Sequence, residues 1–134
     1  MTKKEFLRQA FLAEKRAKSI ETQIEVLRNH AAYLTPQISE TPTKSQVVKS
    51  KVEEAAVRIV TLQNELSDVI SDLIAKRKAI AQAIRSINNL ELETVLELRY
   101  LEYLSWEEIA SRMGYSLQSA YKAHGKALQL VKIS

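Results

Sequence analysis

The stretch Leu104–Lys122, which reads LSWEEIASRMGYSLQSAYK, carries the signals of two short helices joined by a tight turn. Ser105, followed three residues later by Glu108, forms a capping box, so a helix begins at the residue after Ser105. Gly114 ends this helix, because the chain needs a left-handed residue there. Ser116 is placed to cap a second helix two residues after the glycine. Two short helices with a glycine-containing turn predict a helix-turn-helix unit.

Three small residues in this stretch support the same prediction. Ala110 lies where the two helices would cross, and a larger side chain there would push them apart. Gly114 makes the turn, and Ala120 lets the second helix pack back on the first. A plain helical corner within a bundle would also fit this pattern.

The second helix, which we expect to span residues 117–131, has one apolar and one polar side. With Ala120 facing inward and 100° of rotation per residue, the inward side carries Ala123, His124, Ala127, Leu130 and Val131. The outward side carries Gln118, Lys122, Gly125, Lys126 and Gln129, and Ser119 and Tyr121 flank it. A glycine inside a helix costs about 1 kcal/mol relative to alanine. Close approach of DNA would explain a glycine at position 125. The alternative is that this glycine has no functional role.

Polar residues on this outward side match the chemistry of DNA recognition. An amide side chain pairs with adenine, and lysine reaches guanine or phosphate. Residues early in such a helix contact base edges and later ones contact the phosphate backbone. The candidates for base contacts are Gln118, Ser119 and Lys122, and those for backbone contacts are Ser116, Tyr121 and Lys126. Simple solvation of the two lysines is the alternative interpretation.

A supporting helix precedes this unit, from Leu90 to about Tyr103. Asn89 is a plausible cap, and Glu91 and Glu93 lie in the first turn, where the helix dipole favours acids. Its core side carries Leu92, Val95, Leu96, Leu98 and Leu101. Residues 89–134 therefore form a small three-helix DNA-binding domain in our interpretation.

The first two thirds of the chain, residues 1–88, predict a long antiparallel helical hairpin. A heptad series of apolar residues runs through Phe6, Ala10, Ala13, Ala17, Ile20, Ile24, Leu27, Ala31 and Leu34. A loop over residues 35–45 holds both prolines, and Ser45 is a candidate cap for the next helix. That helix, ending near Asn88, carries a second series through Val48, Val52, Ala55, Ile59, Leu62, Leu66, Val69, Leu73, Lys76, Ile80, Ala83 and Ile87. Antiparallel pairing places Leu34 near Val48.

Three isoleucines of the second long helix, Ile70, Ile74 and Ile84, lie off this heptad seam. A two-helix hairpin cannot bury a second apolar stripe alone, so we expect another copy of the chain to cover it. A homo-oligomer, with a dimer favoured, is the hypothesis. The alternative is that the C-terminal domain packs back over these isoleucines.

Composition narrows the class of protein. The chain has 134 residues, no cysteine, a formal net charge of +4 and no apolar run long enough for a membrane span. Residues 109–134 contain four basic residues and no acid, which fits a surface that faces phosphate. Neither His30 nor His124 has a cysteine or carboxylate cluster beside it, so we expect no metal, no cofactor and no catalytic residue. With no signal peptide, we expect a soluble cytoplasmic protein.

Residues 90–131 resemble region four of bacterial sigma factors. The resemblance is carried by Val95–Tyr100 (VLELRY), by Ser105–Ala110 (SWEEIA) and by Lys126–Leu128 (KAL). It implies a module that reads DNA in the major groove. Nothing matches the sigma region that contacts the other promoter element, so the resemblance does not imply a complete sigma factor.

The whole chain is similar in architecture to small regulators encoded by phages and integrated elements of Firmicutes. These include late-gene regulators of the RinA and ArpU type and an uncharacterised streptococcal phage family. The resemblance implies a sequence-specific transcription regulator that binds double-stranded DNA and is not an enzyme.

Two other functions fit the same organisation. Phage small terminase subunits also combine a helix-turn-helix with oligomerising helices, so a DNA-packaging protein is one alternative. The other is an adaptor that docks on host RNA polymerase or another protein, with the acids between Glu91 and Glu108 as its contact surface.

Overall fold

The chain folds into five α-helices in the computed structural model, which describes residues 1–36 and 42–133, without the side chains of residues 42–44. In order, the helices are α1 (Lys3–Leu34), α2 (Pro42–Arg85), α3 (Leu90–Tyr100), α4 (Trp106–Met113) and α5 (Leu117–Leu130). These residues contain no β-strand. The expectation of an all-α fold, with two long helices before three short ones, is confirmed. No helix within the described ranges combines the length and apolar character needed to cross a bilayer.

The long second helix differs from expectation at both ends. It begins at Pro42, so Ser45 lies inside its first turn and the prediction that Ser45 caps it is wrong. Proline suits the first helical position because the first N–H groups of a helix have no intrahelical partner. The helix ends at Arg85 rather than near Asn88, where a φ of 57° is left-handed and cannot continue it. Of the predicted loop 35–45, residues 37–41 lie outside the described residues.

Two compact units make up the chain, one of residues 1–14 and 72–134 and one of residues 15–71. The second unit is held by a heptad seam. Its buried cluster consists of Ile20, Ile24 and Leu62, with Leu27, Ile59, Leu66 and Val69 packed around it. Every member is a predicted seam position, so the predicted antiparallel packing of α1 against α2 is confirmed in this unit.

The first unit has a larger core, to which α3 and α5 contribute together with the start of α1 and the end of α2. Its buried members are Leu7, Ala10, Ala13, Leu73, Ile80, Ala83, Ile84, Ile87, Leu96, Tyr100, Ala127 and Val131. Two helices of the predicted DNA-binding domain, α3 and α5, therefore share one core with residues of the predicted hairpin.

Two residues of the long helices are buried although they lie off the heptad seam, because they pack in the core to which α3 and α5 contribute. Leu7 and Ile84 are both fully buried, at 0% exposure. Ile84 was expected to need a second chain, and this is wrong because the protein's own C-terminal helices bury it. Ile70 and Ile74 remain 37% and 63% exposed.

The turn after α3 is positioned by an arginine of α2. The supporting helix ends at Tyr100, three residues before the expected end, and Tyr103 has a φ of 60°. Arg77 Nη1 donates to the Leu101 carbonyl and to the Tyr103 hydroxyl, both at 2.9 Å. A left-handed conformation is uncommon for a bulky residue, and these two hydrogen bonds hold it.

Candidate nucleic-acid interface

The turn between α4 and α5 has the local structure that the sequence predicts. Both hydrogen bonds of the Ser105–Glu108 capping box are present, and α4 begins directly after Ser105. Gly114 is left-handed at φ 69°. The N–H of Tyr115 donates to the Ala110 carbonyl at 2.9 Å, which closes the end of α4. Since these contacts are local, a short sequence was enough to predict them.

The inward side of α5 packs on α3 and α4. Ala120 and Ala127 are fully buried, Val131 is 1% exposed and His124 is buried among aromatic rings. Their predicted inward orientation is confirmed. Leu130 is 49% exposed, so its predicted inward orientation is wrong. The helix α5 ends at Leu130, and the next residue, Val131, packs in the core in an extended conformation.

The opposite side of α5 is open to solvent. Its exposed residues are the predicted ones: Gln118, Ser119, Lys122, Gly125, Lys126 and Gln129. Among the residues that the structure describes, neither Lys122 nor Lys126 forms an ion pair. Arg112, a cation on the neighbouring helix α4, does form an ion pair, with 3.5 Å between its Nη1 and Glu102 Oε1. The two lysines are therefore free to approach an anionic partner.

Ser116 and Ser119 are joined at the N-terminus of α5. The Ser119 N–H donates to Ser116 Oγ at 3.1 Å, which caps the helix. Ser116 Oγ in turn donates to Ser119 Oγ at 2.9 Å. Both side chains remain exposed, so each hydroxyl oxygen keeps capacity for a further hydrogen bond. Their predicted roles in DNA contact stay predictions.

An aromatic cluster orients Tyr121, the remaining candidate. Its ring, 48% exposed, packs edge-on against Trp106 with 5.3 Å between ring centroids. Trp106 also contacts His124, at 4.7 Å, and the guanidinium of Arg99 lies 4.7 Å from the Trp106 ring. The helical pattern in the sequence predicts that Trp106 and Arg99 lie in helices but does not predict that they contact each other. The pairing of a cation with an indole depends on the packing of α3 against α4, which residue spacing alone does not determine.

His124 and Tyr100 form a buried polar pair beneath this cluster. The Tyr100 hydroxyl and His124 Nε2 are 2.7 Å apart and share a hydrogen bond. Burial lowers the pKa of His124 to about 4, and the positive charges of Lys4 and Arg99 act in the same direction. Burial raises the pKa of Tyr100, partly opposed by the nearby Arg99 and Arg8. Both groups are therefore neutral at neutral pH, and the pair stabilises the contact between α3 and α5.

Gly125 leaves an open notch in the exposed side of α5. No protein atom lies within 4 Å of the position that a Cβ would occupy there. Packing inside the protein therefore does not require glycine at this position. Within the described residues, no group of three His, Asp or Glu side chains could hold a metal ion.

A comparison with known families covers most of the chain. Residues 35–132 match the model of a family described as a protein of unknown function, DUF1492. The match includes all of α2 and every residue of the candidate interface. No curated protein and no solved structure matches the chain significantly. Because the match spans well over half of the sequence, this chain belongs to the DUF1492 family of proteins of unknown function.

Proposed function

We propose that this protein is a sequence-specific DNA-binding transcription regulator that reads the major groove with α5. The observation that carries the proposal is the exposed side of α5. It presents an amide, a glycine notch and two lysines that form no ion pair within the described residues, on a helix whose other side is buried against α3 and α4. A helix of this kind, preceded by a capped helix and a tight turn, fits the major groove of B-DNA.

The position of each side chain along α5 divides the proposed contacts into two classes. Gln118, Ser119 and Lys122 lie in the first half of the helix and are proposed to contact base edges. Ser116, Tyr121 and Lys126 are proposed to contact the phosphate backbone, which fixes register without carrying sequence information. Tyr121 suits this role because packing on Trp106 leaves about half of its surface exposed.

The resemblance to sigma region four and to phage late-gene regulators supports a narrower version of the proposal. In this version the protein acts in the cytoplasm on genes of a phage or an integrated element, and host RNA polymerase is a further partner. The region-four motifs lie on α3, on α4 with its capping serine, and on α5, the three helices of the predicted DNA-binding domain.

A gel-shift titration against fragments of the surrounding genome, with excess nonspecific competitor, tests the proposal. We expect the native chain to retain at least one fragment and Lys122→Glu to lose it. Lys51→Glu is the matched control, since it makes the same charge change at an exposed residue of α2. Equal retention by native chain and Lys122→Glu, or no retained fragment, would contradict the proposal. The position of a retained fragment separates a promoter from a packaging site.

Replacement of Gly125 provides a test in which stability and binding change in opposite directions. Gly125→Ala has space in the free protein and should stabilise it by about 0.5–1 kcal/mol, because alanine is the better helix former. If the DNA backbone approaches this notch, the added methyl group should weaken DNA binding. Urea denaturation and the gel shift measure the two effects. Unchanged DNA affinity would show that DNA does not approach Gly125 closely.

We also propose that the protein works as a homo-oligomer, with a dimer favoured. Five large apolar residues in the described part of α2 remain exposed, Val47 at 52%, Val57 at 67%, Val60 at 55%, Ile70 at 37% and Ile74 at 63%. Light scattering at tens of micromolar should give a mass above that of one chain, and Val57→Lys with Val60→Lys should lower it. A monomeric mass for the native chain would rule this proposal out.

A further inference from the structure

A small pocket in the first unit lies between the start of α1 and the end of α3. It has a volume of about 190 Å³ and is lined by Lys4, Arg8, Phe11, Arg99, Tyr100 and Tyr103. Three of these six residues are cationic, three are aromatic and none is acidic. A cavity of about 150 Å³ is large enough for a benzene molecule, so this one accommodates a compact anion.

The three cations of this pocket have no acidic partner in the described part of the chain. Among the described residues, none of Lys4, Arg8 and Arg99 forms an ion pair. Lys4 and Arg8 are four residues apart on α1, a spacing at which like charges repel by a few tenths of a kcal/mol. Arg99 adds a third positive charge from α3. A bound anion would relieve this repulsion.

Arg99 is held in place before any ligand arrives. Its Nη1 donates to the Leu104 carbonyl at 2.9 Å, and its guanidinium lies 4.7 Å from the Trp106 ring. Guanidinium has five N–H donors, so further donors remain for a ligand. Because the side chain is already ordered, less conformational entropy is lost on binding than for a mobile arginine.

The pKa shifts of Tyr100, which lines the pocket, and of His124, which is hydrogen-bonded to Tyr100, are consistent with this convergence of charge. Lys4 and Arg99 both lower the pKa of His124, and Arg8 and Arg99 both oppose the rise in the pKa of Tyr100. The Tyr100 hydroxyl connects the pocket to α5 through its hydrogen bond to His124. Arg8 also stacks near Phe11, with 5.6 Å between its Cζ and the ring centroid.

We propose that Lys4, Arg8 and Arg99 form a binding site for a phosphate group. Three converging cations, one of them a fixed guanidinium, match the charge and the acceptor oxygens of phosphate. The phosphate group has two sources, a small free phosphate and a phosphate of the DNA backbone. The second source rests on the proposed function, whereas the first does not.

The first arm of the test uses inorganic phosphate and no DNA. Thermal unfolding of the full chain is followed with increasing phosphate at constant ionic strength. A specific site should raise Tm by about 3–8 °C when phosphate is at about ten times its Kd. The double variant Lys4→Gln with Arg8→Gln, both at exposed positions, should lose most of this rise. Arg28→Gln, an exposed residue of the second unit, should keep it.

The second arm measures the salt dependence of DNA binding for the same three proteins. If the site takes a backbone phosphate, the double variant should lower the slope of log K against log salt by about one or more. A rise in Tm that occurs in the native chain and in Arg28→Gln but not in the double variant indicates that the site binds free phosphate. A lowered salt slope in the double variant alone indicates that the site binds a phosphate of the DNA backbone.

Two outcomes keep this inference separate from the proposed function. An equal Tm rise in all three proteins together with equal salt slopes would overturn the phosphate site while leaving DNA binding intact. If the native chain binds no DNA, the proposed function fails, and the phosphate titration alone then decides whether the site exists.

Discussion

His124 is the residue whose chemistry depends most on the fold. The sequence contains two histidines, and neither has a cysteine or carboxylate cluster beside it for metal binding. The helical periodicity of 100° per residue predicts that His124 faces inward. In the structure it contacts Tyr100 through a hydrogen bond and Trp106 through its ring. A protonated imidazole there would bring a charge into a buried site already close to Lys4 and Arg99. The folded state therefore favours the neutral form of His124.

This requirement predicts a pH dependence of stability. Because the folded pKa of about 4 lies below the unfolded value of 6.5, the unfolded chain binds more protons between these values. Stability contributed by neutral His124 is thus present above pH 6.5 and is lost as the pH falls towards 4. Between pH 7 and 5.5 we expect a loss of about 1 kcal/mol in the free energy of unfolding, measured by urea denaturation.

His124→Gln is the control, because glutamine has no proton to gain in this range. Its stability should change less than that of the native chain between pH 7 and 5.5. An NMR titration of the native protein gives an independent measure. A midpoint near 6.5 for the His124 ring would contradict the predicted shift.

At the scale of elements, the ends of the short helices are determined by single polar side chains. Asn89 accepts from the N–H of Leu92, Ser105 from that of Glu108, and Ser116 from that of Ser119. Each cap satisfies an N–H group that has no partner within its helix. Ser116 is of particular interest, since it is both the cap of α5 and a predicted contact to the DNA backbone.

Ser116→Asp separates these two roles. Aspartate caps helices as well as serine, so the free energy of unfolding should change by less than about 0.5 kcal/mol. The new negative charge should repel DNA phosphate, and we expect DNA affinity to fall at least tenfold. Ser116→Ala serves as the comparison and should cost about 1 kcal/mol of stability. Native-like DNA affinity in Ser116→Asp would place Ser116 away from the phosphate backbone.

At the scale of the whole molecule, the C-terminal helices complete a core that begins in the long helices. Ile74 and Ile84 are both isoleucines of α2 off the heptad seam, yet one is 63% exposed and the other fully buried. Ile84 packs in the cluster that contains Leu96 of α3 and Ala127 of α5. The difference between the two comes from the packing of distant parts of the chain.

The two isoleucines therefore form a matched pair for a stability measurement. Ile84→Ala should destabilise the protein by about 2–4 kcal/mol, because it removes buried methyl groups and leaves a cavity. Ile74→Ala, measured by the same urea denaturation at a concentration low enough to keep the chain monomeric, should change stability by less than about 0.5 kcal/mol. Similar losses in both variants would show that Ile74 is also covered in solution, as oligomerisation would require.

Local signals in the sequence determined much of this protein. The heptad series predicted the seam of α1 and α2, and the caps at Asn89, Ser105 and Ser116 predicted where the short helices begin. Gly114 predicted the turn. These features depend on contacts between residues a few positions apart, whose geometry a helix fixes, so spacing alone reveals them.

Only the tertiary structure decided which surfaces are covered and which charges converge. Ile84 is buried by α3 and α5, and Arg77 reaches across to the turn at Tyr103. Lys4 and Arg99 are 95 positions apart in the sequence and line one pocket. Contacts of this kind depend on how whole helices pack, and a periodic pattern states which face of a helix is apolar without stating which partner buries it.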